Sequence, residues 1–315
     1  MQVFCAGYRL RQTRSGNGPG ASRSRVNFRR HRPMLKEGSV AMANRDSERD
    51  QVERRVQQWR ALKPTLFRNS EELVCHRTWG QFAMYQRALA TPEFEAFIRD
   101  PDSFFYQGRM LKRGDSTTVM AITLDGVTYV VKRYNLRNFW YGIRRLFRPT
   151  RAWRCWASAH MLQTFGVATP APVLMLERRW GPLRRQGYYV TALVEGPDVL
   201  QFVGDEPING AHWQQTLERF RALLQTMQRY RFIHGDMKAT NFIATRDALV
   251  ALDLDAVREL RDRRTFNRLL QRDIRRWLAN WQHRPDLMPV LQAMVDAVVA
   301  NTDQAAAGEA PGADT

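Results

Sequence analysis

Cysteine is scarce in this chain, and what there is does not cluster. Cys5, Cys75 and Cys155 are the three in 315 residues, and no two form a Cys-x-x-Cys pair. That spacing excludes a disulfide framework and a zinc site built on paired thiolates, and it fits a reducing compartment. Long apolar runs are missing as well. No uncharged stretch reaches the roughly 18–20 residues that a membrane span requires, so no transmembrane helix is expected. Arg9, Arg11 and Arg14 break up the N-terminus before an apolar segment develops, which argues against a secretory signal. A cytoplasmic protein is the expectation. Acids are the third shortage: 31 Asp and Glu stand against 49 Lys and Arg, for a formal charge of +18. Residues 1–45 hold ten basic residues and one acid, Glu37, so half of the excess, +9, lies there. The rest of the chain carries the other +9 and favours anionic partners: nucleotide, nucleic acid or an acidic membrane surface. No RNP, zinc-finger or helix-turn-helix signature accompanies the charge, so nucleic acid is not the expected partner.

What is present is a folded core, with 44% hydrophobic and 11% aromatic residues. Residues 1–45, rich in Arg, Gly and Ser, read as a disordered basic tail or as sequence ahead of the true start, since Met34 and Met42 both precede the first convincing helix. A helix near Ser47–Leu62 opens an N-terminal extension, residues 46–102, in which Thr91-Pro92 starts a short helix over Glu93–Arg99. Residues 103–195 then read as strands. Met110–Leu111 and Thr118–Leu124 flank a polar turn, Lys112–Ser116. Asp125-Gly126 is a hairpin signal, and Val127–Val131 is β-branched. A helix at Arg151–Phe165, stopped by Gly166, precedes strands near Val173–Glu177 and Gly187–Val194. Residues 196–300 are mainly helical. Trp213, Leu217, Phe220, Leu224 and Met227 recur at helical spacing, a short strand covers Ala248–Leu252, and a helical pair spans about Phe266–Trp281 and Leu287–Val299. Residues 301–315 read as a disordered tail. The expected fold class is α+β: a bilobal, protein-kinase-like arrangement of a small antiparallel-sheet lobe and a mainly helical lobe.

The chemistry concentrates in His234-Gly235-Asp236-Met237-Lys238-Ala239-Thr240-Asn241. Phosphoryl transfer from ATP needs a carboxylate to orient and deprotonate the attacking hydroxyl, a cation to neutralise the transferring phosphate, and oxygens to hold Mg²⁺. Asp236 supplies the first, Lys238 the second, and Asn241 a metal ligand. Twelve residues on, Leu252-Asp253-Leu254-Asp255 places carboxylates at the end of an apolar strand. Asp253 is the expected second metal ligand; Asp255 shares its face by strand periodicity, so that choice rests on resemblance. Upstream, Tyr129-Val130-Val131-Lys132 resembles the strand whose lysine grips the α- and β-phosphates. The turn around Gly114 would then lie over the phosphates, offering backbone N–H groups and the hydroxyls of Ser116, Thr117 and Thr118. Two departures stand out. The loop has one glycine where protein kinases have three, and the helix after Lys132 has no Glu to pair with it.

Gly235 stands where protein kinases usually carry an Arg that anchors a phosphorylated loop, and no Ala-Pro-Glu follows Asp253, so a small or unusual acceptor is expected. The segment Lys132–Arg154 holds eight Lys and Arg and no acid, interleaved with Tyr134, Phe139, Trp140, Tyr141, Phe147 and Trp153. Such a stretch can rest on an anionic bilayer or simply pack its aromatics on the sheet lobe. Lys132-Arg133-Tyr134, Arg151-Ala152-Trp153-Arg154 with Trp156, Phe165-Gly166-Val167-Ala168-Thr169-Pro170-Ala171-Pro172, and the two catalytic segments resemble the lipopolysaccharide core heptose/Kdo kinase family, which includes InaA-like proteins. The resemblance covers roughly residues 105–280. It implies ATP and Mg²⁺ as cosubstrates and a lipid-linked core oligosaccharide of lipopolysaccharide as acceptor. It also implies peripheral association with the anionic bacterial inner membrane on its cytoplasmic side. By the same analogy Glu195-Gly196-Pro197 would connect the lobes beside the adenine. An atypical serine/threonine protein kinase and a kinase-like scaffold without catalysis are the alternatives, and no motif names a partner protein.

Overall fold

The computed structural model describes residues 36–135, 149–181 and 183–307, with side chains from residues 47–135, 149–181 and 183–299. The basic tail up to residue 35, the centre of the basic aromatic segment (136–148) and residues 308–315 lie outside the described residues. The chain divides into one unit ending at Asp46 and a second from Ser47 onward. The described part of the first is helical, since helix α1 spans Lys36–Leu62 rather than starting near Ser47. Alanine, methionine and lysine favour helix there without any apolar stripe to announce it.

The second unit is built on one seven-stranded sheet. Its strands are β1 (Leu73–Arg77), β2 (Gln81–Gln86), β3 (Arg109–Gly114), β4 (Thr117–Leu124), β5 (Val127–Tyr134), β6 (Pro172–Trp180) and β7 (Leu183–Ala192). The order is β1-β2-β6-β7-β5-β4-β3, antiparallel throughout. Five of these strands are legible as alternating or β-branched runs; β1 and β2 come from the expected extension and complete the sheet. Strand β2 reads Gln-Phe-Ala-Met-Tyr-Gln, with Phe82, Ala83, Met84 and Tyr85 all buried. It is covered on both faces, so the polar alternation that marks a half-buried strand is absent.

Alternate residues feed two cores. Ala83, Tyr85, Val131, Leu174, Leu176, Tyr188 and Val190 turn to one face, where helix α2 (Pro92–Arg99) lays Phe94, Phe97 and Ile98; α3 (Pro101–Phe104) follows directly. Thr91 caps α2 by accepting from the Phe94 amide at 3.1 Å. Phe82, Met84, Tyr134, Met175 and Tyr189 turn to the other face, against helix α4 (Arg151–Thr164) and its Cys155, Trp156 and Ala159. Lys132 therefore shares the α4 face with Tyr134, while Val131 belongs to the opposite core.

Beyond the sheet come α5 (Val199–Val203), α6 (Ala211–Tyr230), two short strand pairings, α7 (Arg263–Ala279) and α8 (Met288–Ala307). The expected apolar stripe on α6 holds: Trp213, Phe220, Leu224 and Met227 are buried. Helix α8 runs eight residues past Val299, into the stretch expected to be disordered. Strand β8 (Phe232–Ile233) pairs with β11 (Arg258–Glu259), and β9 (Phe242–Ala244) with β10 (Leu249–Ala251). These two ribbons bracket the segments that carry the chemistry. Among the described residues no helix is long and apolar enough to cross a membrane.

Candidate active site

The loop between β8 and β9 is shaped by one glycine and one buried acid. Gly235 has φ +81, and a Cβ there would sit 2.6 Å from the Ala256 carbonyl oxygen, so no larger residue fits without a shift. Its amide donates to Asp273 Oδ2 at 2.8 Å from helix α7. Asp273 is buried, and burial pushes its carboxyl up, against the pull of the Gly235 amide and His234. His234 is buried too, and burial lowers its pKa, so the ring is neutral. Its Nε2 donates to the Leu252 carbonyl at 2.9 Å, tying the loop to the segment that carries Asp253.

Asp236 is the loop's projecting carboxylate. Arg276 Nη1 of α7 donates to its Oδ1 at 2.6 Å, and Lys238 Nζ is 3.4 Å from the same oxygen. Asn241 Nδ2 donates to Oδ2 at 3.1 Å and to the Asp236 backbone carbonyl at 2.8 Å. The Leu252 amide donates to the Asn241 carbonyl at 2.8 Å, which brings Asp253 alongside Asn241. Asp253 takes a left-handed conformation, φ +54, at the head of a short 3₁₀ turn over Leu254–Ala256. A non-glycine residue held at positive φ stores strain of order 1–3 kcal/mol, and such strain concentrates at functional sites.

Lys132 finds its partner in Asp253, with which it forms a direct ion pair. Burial works to raise the Asp253 carboxyl, but Lys132, with Arg151 behind it, holds it below the usual carboxylate range. The missing helix Glu is thus answered by Asp253 itself. Helix α4 contributes Cys155, whose Sγ lies 3.1 Å from Tyr134 Oη and whose thiol burial pushes up to about 12. A neutral thiol cannot serve as the counter-anion. The same helix instead sends Arg151 to Asp255 as an ion pair, with Nη1 also donating to Thr117 Oγ1 at 3.3 Å. The charge pairing expected between sheet and helix therefore runs with reversed sign, from a helix cation to a loop acid. Thr150 anchors the start of α4: its Oγ1 accepts from the Trp153 amide at 3.1 Å and donates to the fully buried Glu177 of β6.

The other expected residues separate into two groups. Ser116 lies in a two-residue turn with Asp115, because Lys112 and Arg113 extend β3 and Gly114 pairs with Thr117. The loop is shorter than the sequence pattern indicates. Thr117 pairs with Tyr134 on the Lys132 face; Thr118 pairs with Arg133 on the other face, so its hydroxyl points away from Lys132. Glu195 lines a cleft of about 440 Å³ together with Arg109, Ala121, Thr128 and Leu193. By strand register Thr128 and Lys132 share the face of β5 on which this cleft opens. Gly196, at φ +145, lies against Ile243 and the Ala244 carbonyl, and Ala244 N donates to Pro197 O at 2.9 Å. The connection after β7 is thereby fixed to β9.

Residues 111–287, more than half of the chain, match the model of the lipopolysaccharide kinase (Kdo/WaaP) family. The chain belongs to that family. As a lipopolysaccharide kinase it is a phosphotransferase, and the resemblance carried by its catalytic segments is confirmed. No curated protein matches the sequence. A solved structure, WaaP in complex with acyl carrier protein, is 20% identical over 68% of this chain and 96% of that one, with a TM-score of 0.42.

Three residues that contact the candidate site escape a reading of motifs. Asp273 could have been found, since it occupies the buried stripe Phe266, Leu270, Ile274, Trp277 of α7, where an acid is out of place. Arg276, one turn further along the same helix, and Arg151, which reaches Asp255 across 104 residues, carry no such mark. Among the described residues no group of three or more His, Cys, Asp or Glu side chains forms a metal site.

Proposed function

We propose that this lipopolysaccharide kinase transfers the γ-phosphoryl group of ATP to a hydroxyl of a core sugar, heptose or Kdo, at the cytoplasmic face of the inner membrane. The observation that carries the reading is the convergence of Lys238, Asn241 and Arg276 on the single carboxylate of Asp236. Asp236 accepts the proton of the acceptor hydroxyl as the oxygen attacks phosphorus, and Lys238, half exposed, is free to follow the developing phosphate charge. Two lobes, residues 103–195 and 196–300, would enclose the nucleotide. Its adenine would sit near Glu195 and its phosphates between Lys132 and the Gly114–Thr117 turn, with Thr118 contributing backbone only. Asn241 and Asp253 present hard oxygen donors on neighbouring segments, which suits Mg²⁺ held jointly with phosphates and water. Magnesium, when bound, neutralises charge on the β- and γ-phosphates. The direct test is the phosphate content of lipopolysaccharide core from cells lacking the protein, restored with wild type or with Asp236→Ala. Restoration by wild type alone is expected; an unchanged core in the deleted cells would refute the acceptor.

Arg151 positions Asp255 and, through the 3₁₀ turn, Asp253. Arg151→Ala is expected to lower turnover about 10–100-fold and to raise the Mg²⁺ concentration needed for half-activity, as loss of a supporting partner does at other metal sites. Wild-type Mg²⁺ dependence in that variant would reduce the pair to a packing contact. The basic aromatic segment gives a further test. Replacing Arg144, Arg145 and Arg148 with Glu is expected to weaken binding to anionic vesicles, measured by cosedimentation. Unchanged binding would mean that these arginines are solvated and play no part at the bilayer.

A further inference from the structure

Two tryptophans at one end of the sheet are largely exposed among the described residues. Trp79, in the β1–β2 turn, is 74% exposed, and Trp180, at the tip of β6, is 66% exposed. Single exposed apolar residues are ordinary, but these two adjoin. Strand β2 pairs with β6 as Gln81 opposite Arg178, so the two turns leave the sheet side by side. Gly181 N donates to Trp79 O at 3.1 Å and Arg179 N to Gly80 O at 2.8 Å, locking the turns together. The Trp79 ring lies over Gly181, where a Cβ would come within 2.7 Å of it. The ring is thus held in place while most of its surface faces water.

The surroundings are basic. Residues 76–81 and 178–186 contain Arg77, Arg178, Arg179, Arg184 and Arg185 and no carboxylate. The acid just before them, Glu177, is fully buried and ion-paired with Arg179. Arg77 and Arg179 lie over the Phe82 ring at 5.1 and 4.6 Å, and Arg184 over Trp153 at 5.8 Å, so their stems follow aromatic surface. The same end of the sheet is where β5 ends, Tyr134 pairing with Gly187, and where the basic aromatic segment begins in sequence.

We propose that this pair of hairpin tips is a docking surface for an anionic lipid bilayer, with Trp79 and Trp180 at the interface and the exposed Arg77 and Arg185 among the headgroups. Tryptophan, apolar in its body with one N–H to hydrogen-bond, partitions to that level of a membrane, and arginine is drawn to acidic headgroups. Charge complementarity selects the occupant: Glu177 offsets one of the five arginines, through Arg179 with Arg184 nearby, and the net positive charge that remains, led by the exposed Arg77 and Arg185, matches a continuous anionic plane. The value of such docking rests on the reading of the acceptor as lipid-linked, but docking itself is measured without acceptor or nucleotide.

The full chain is sedimented with phosphatidylcholine vesicles, with and without about a third phosphatidylglycerol. Binding to the anionic vesicles alone, weakened by salt, is expected. W79A/W180A is expected to bind about tenfold more weakly with an unchanged thermal midpoint. R185E, which alters one exposed side chain, is expected to lose about fivefold. Wild-type binding by both variants would overturn the proposal, as would equal binding to neutral vesicles. Loss of binding in the Arg144/Arg145/Arg148 variant while W79A/W180A binds normally would overturn it too, placing the contact in residues 136–148. Vesicle binding that persists in a chain showing no phosphoryl transfer would sustain the docking surface and count only against the catalytic reading.

Discussion

Replacing Asp236 with alanine is expected to lower ATP-dependent phosphoryl transfer by about 10³-fold or more while leaving the protein folded. The activity loss follows from removing the one carboxylate on which Arg276, Lys238 and Asn241 converge, at 2.6, 3.4 and 3.1 Å. The fold should survive because the carboxylate is not sealed in. Its side chain keeps 23% of its exposure, and Arg276 and Lys238 keep 33% and 52%, so water can solvate the cations it leaves behind. The loop's shape is fixed elsewhere, by the Gly235 amide on Asp273 and the His234 ring on the Leu252 carbonyl. Asp236→Asn should also be inactive, since an amide retains the Arg276 contact but takes up no proton. Single-turnover transfer from labelled ATP and a thermal melt separate the two effects. Full activity in either variant would sink the assignment of Asp236 as base.

Gly235→Ala is expected to be severely damaging for the addition of one methyl group, costing about 2–4 kcal/mol of stability. Two penalties combine. A side chain at φ +81 is strained in itself, and the new Cβ would lie 2.6 Å from the Ala256 carbonyl oxygen and 2.8 Å from the Ala256 Cβ. Neither neighbour is a flexible side-chain end that can swing aside. Relief requires moving either the loop or the 3₁₀ turn that holds Asp253 and Asp255, so activity should fall even in the molecules that remain folded. Urea unfolding gives the stability change. A midpoint equal to wild type would show that the turn yields without cost. The arginine that protein kinases carry here would meet the same obstruction, which gives the glycine a steric reason as well as an electrostatic one.

How far the site could be read from the sequence depends on whether chemistry or geometry selected each residue. Asp236, Lys238, Asn241 and Asp253 lie within 18 consecutive positions, interspersed with short apolar strands, so their spacing shows through. The partner of Lys132 did not. A search along the following helix for Glu finds none, because the fold supplies Asp253 from 121 residues away and lets the helix send Arg151 to Asp255 instead. The turn between β3 and β4 is shorter than its sequence suggests for a local reason: Lys112 and Arg113 are exposed edge-strand residues whose polarity imitates a loop. Strand β2 escaped for the opposite reason, its residues being buried on both faces. Helix α2 was placed to within a residue, since Thr91-Pro92 states its own beginning.

The position of β2 between β1 and β6 bears on how the protein can be divided. The family-matched region begins at residue 111, yet β1 and β2 lie outside it; β2 hydrogen-bonds directly to β6, and β1 to β2. A fragment cut to that region would leave β6 as a bare edge, its Val173, Leu174, Met175 and Leu176 row and unpaired amides open to any passing strand. It would also strip Phe94, Phe97 and Ile98 from the second core. Such a truncation should form aggregates rather than a smaller kinase. The residues that give this chain its family do not complete its sheet, and a fragment that keeps β6 paired has to begin before Leu73.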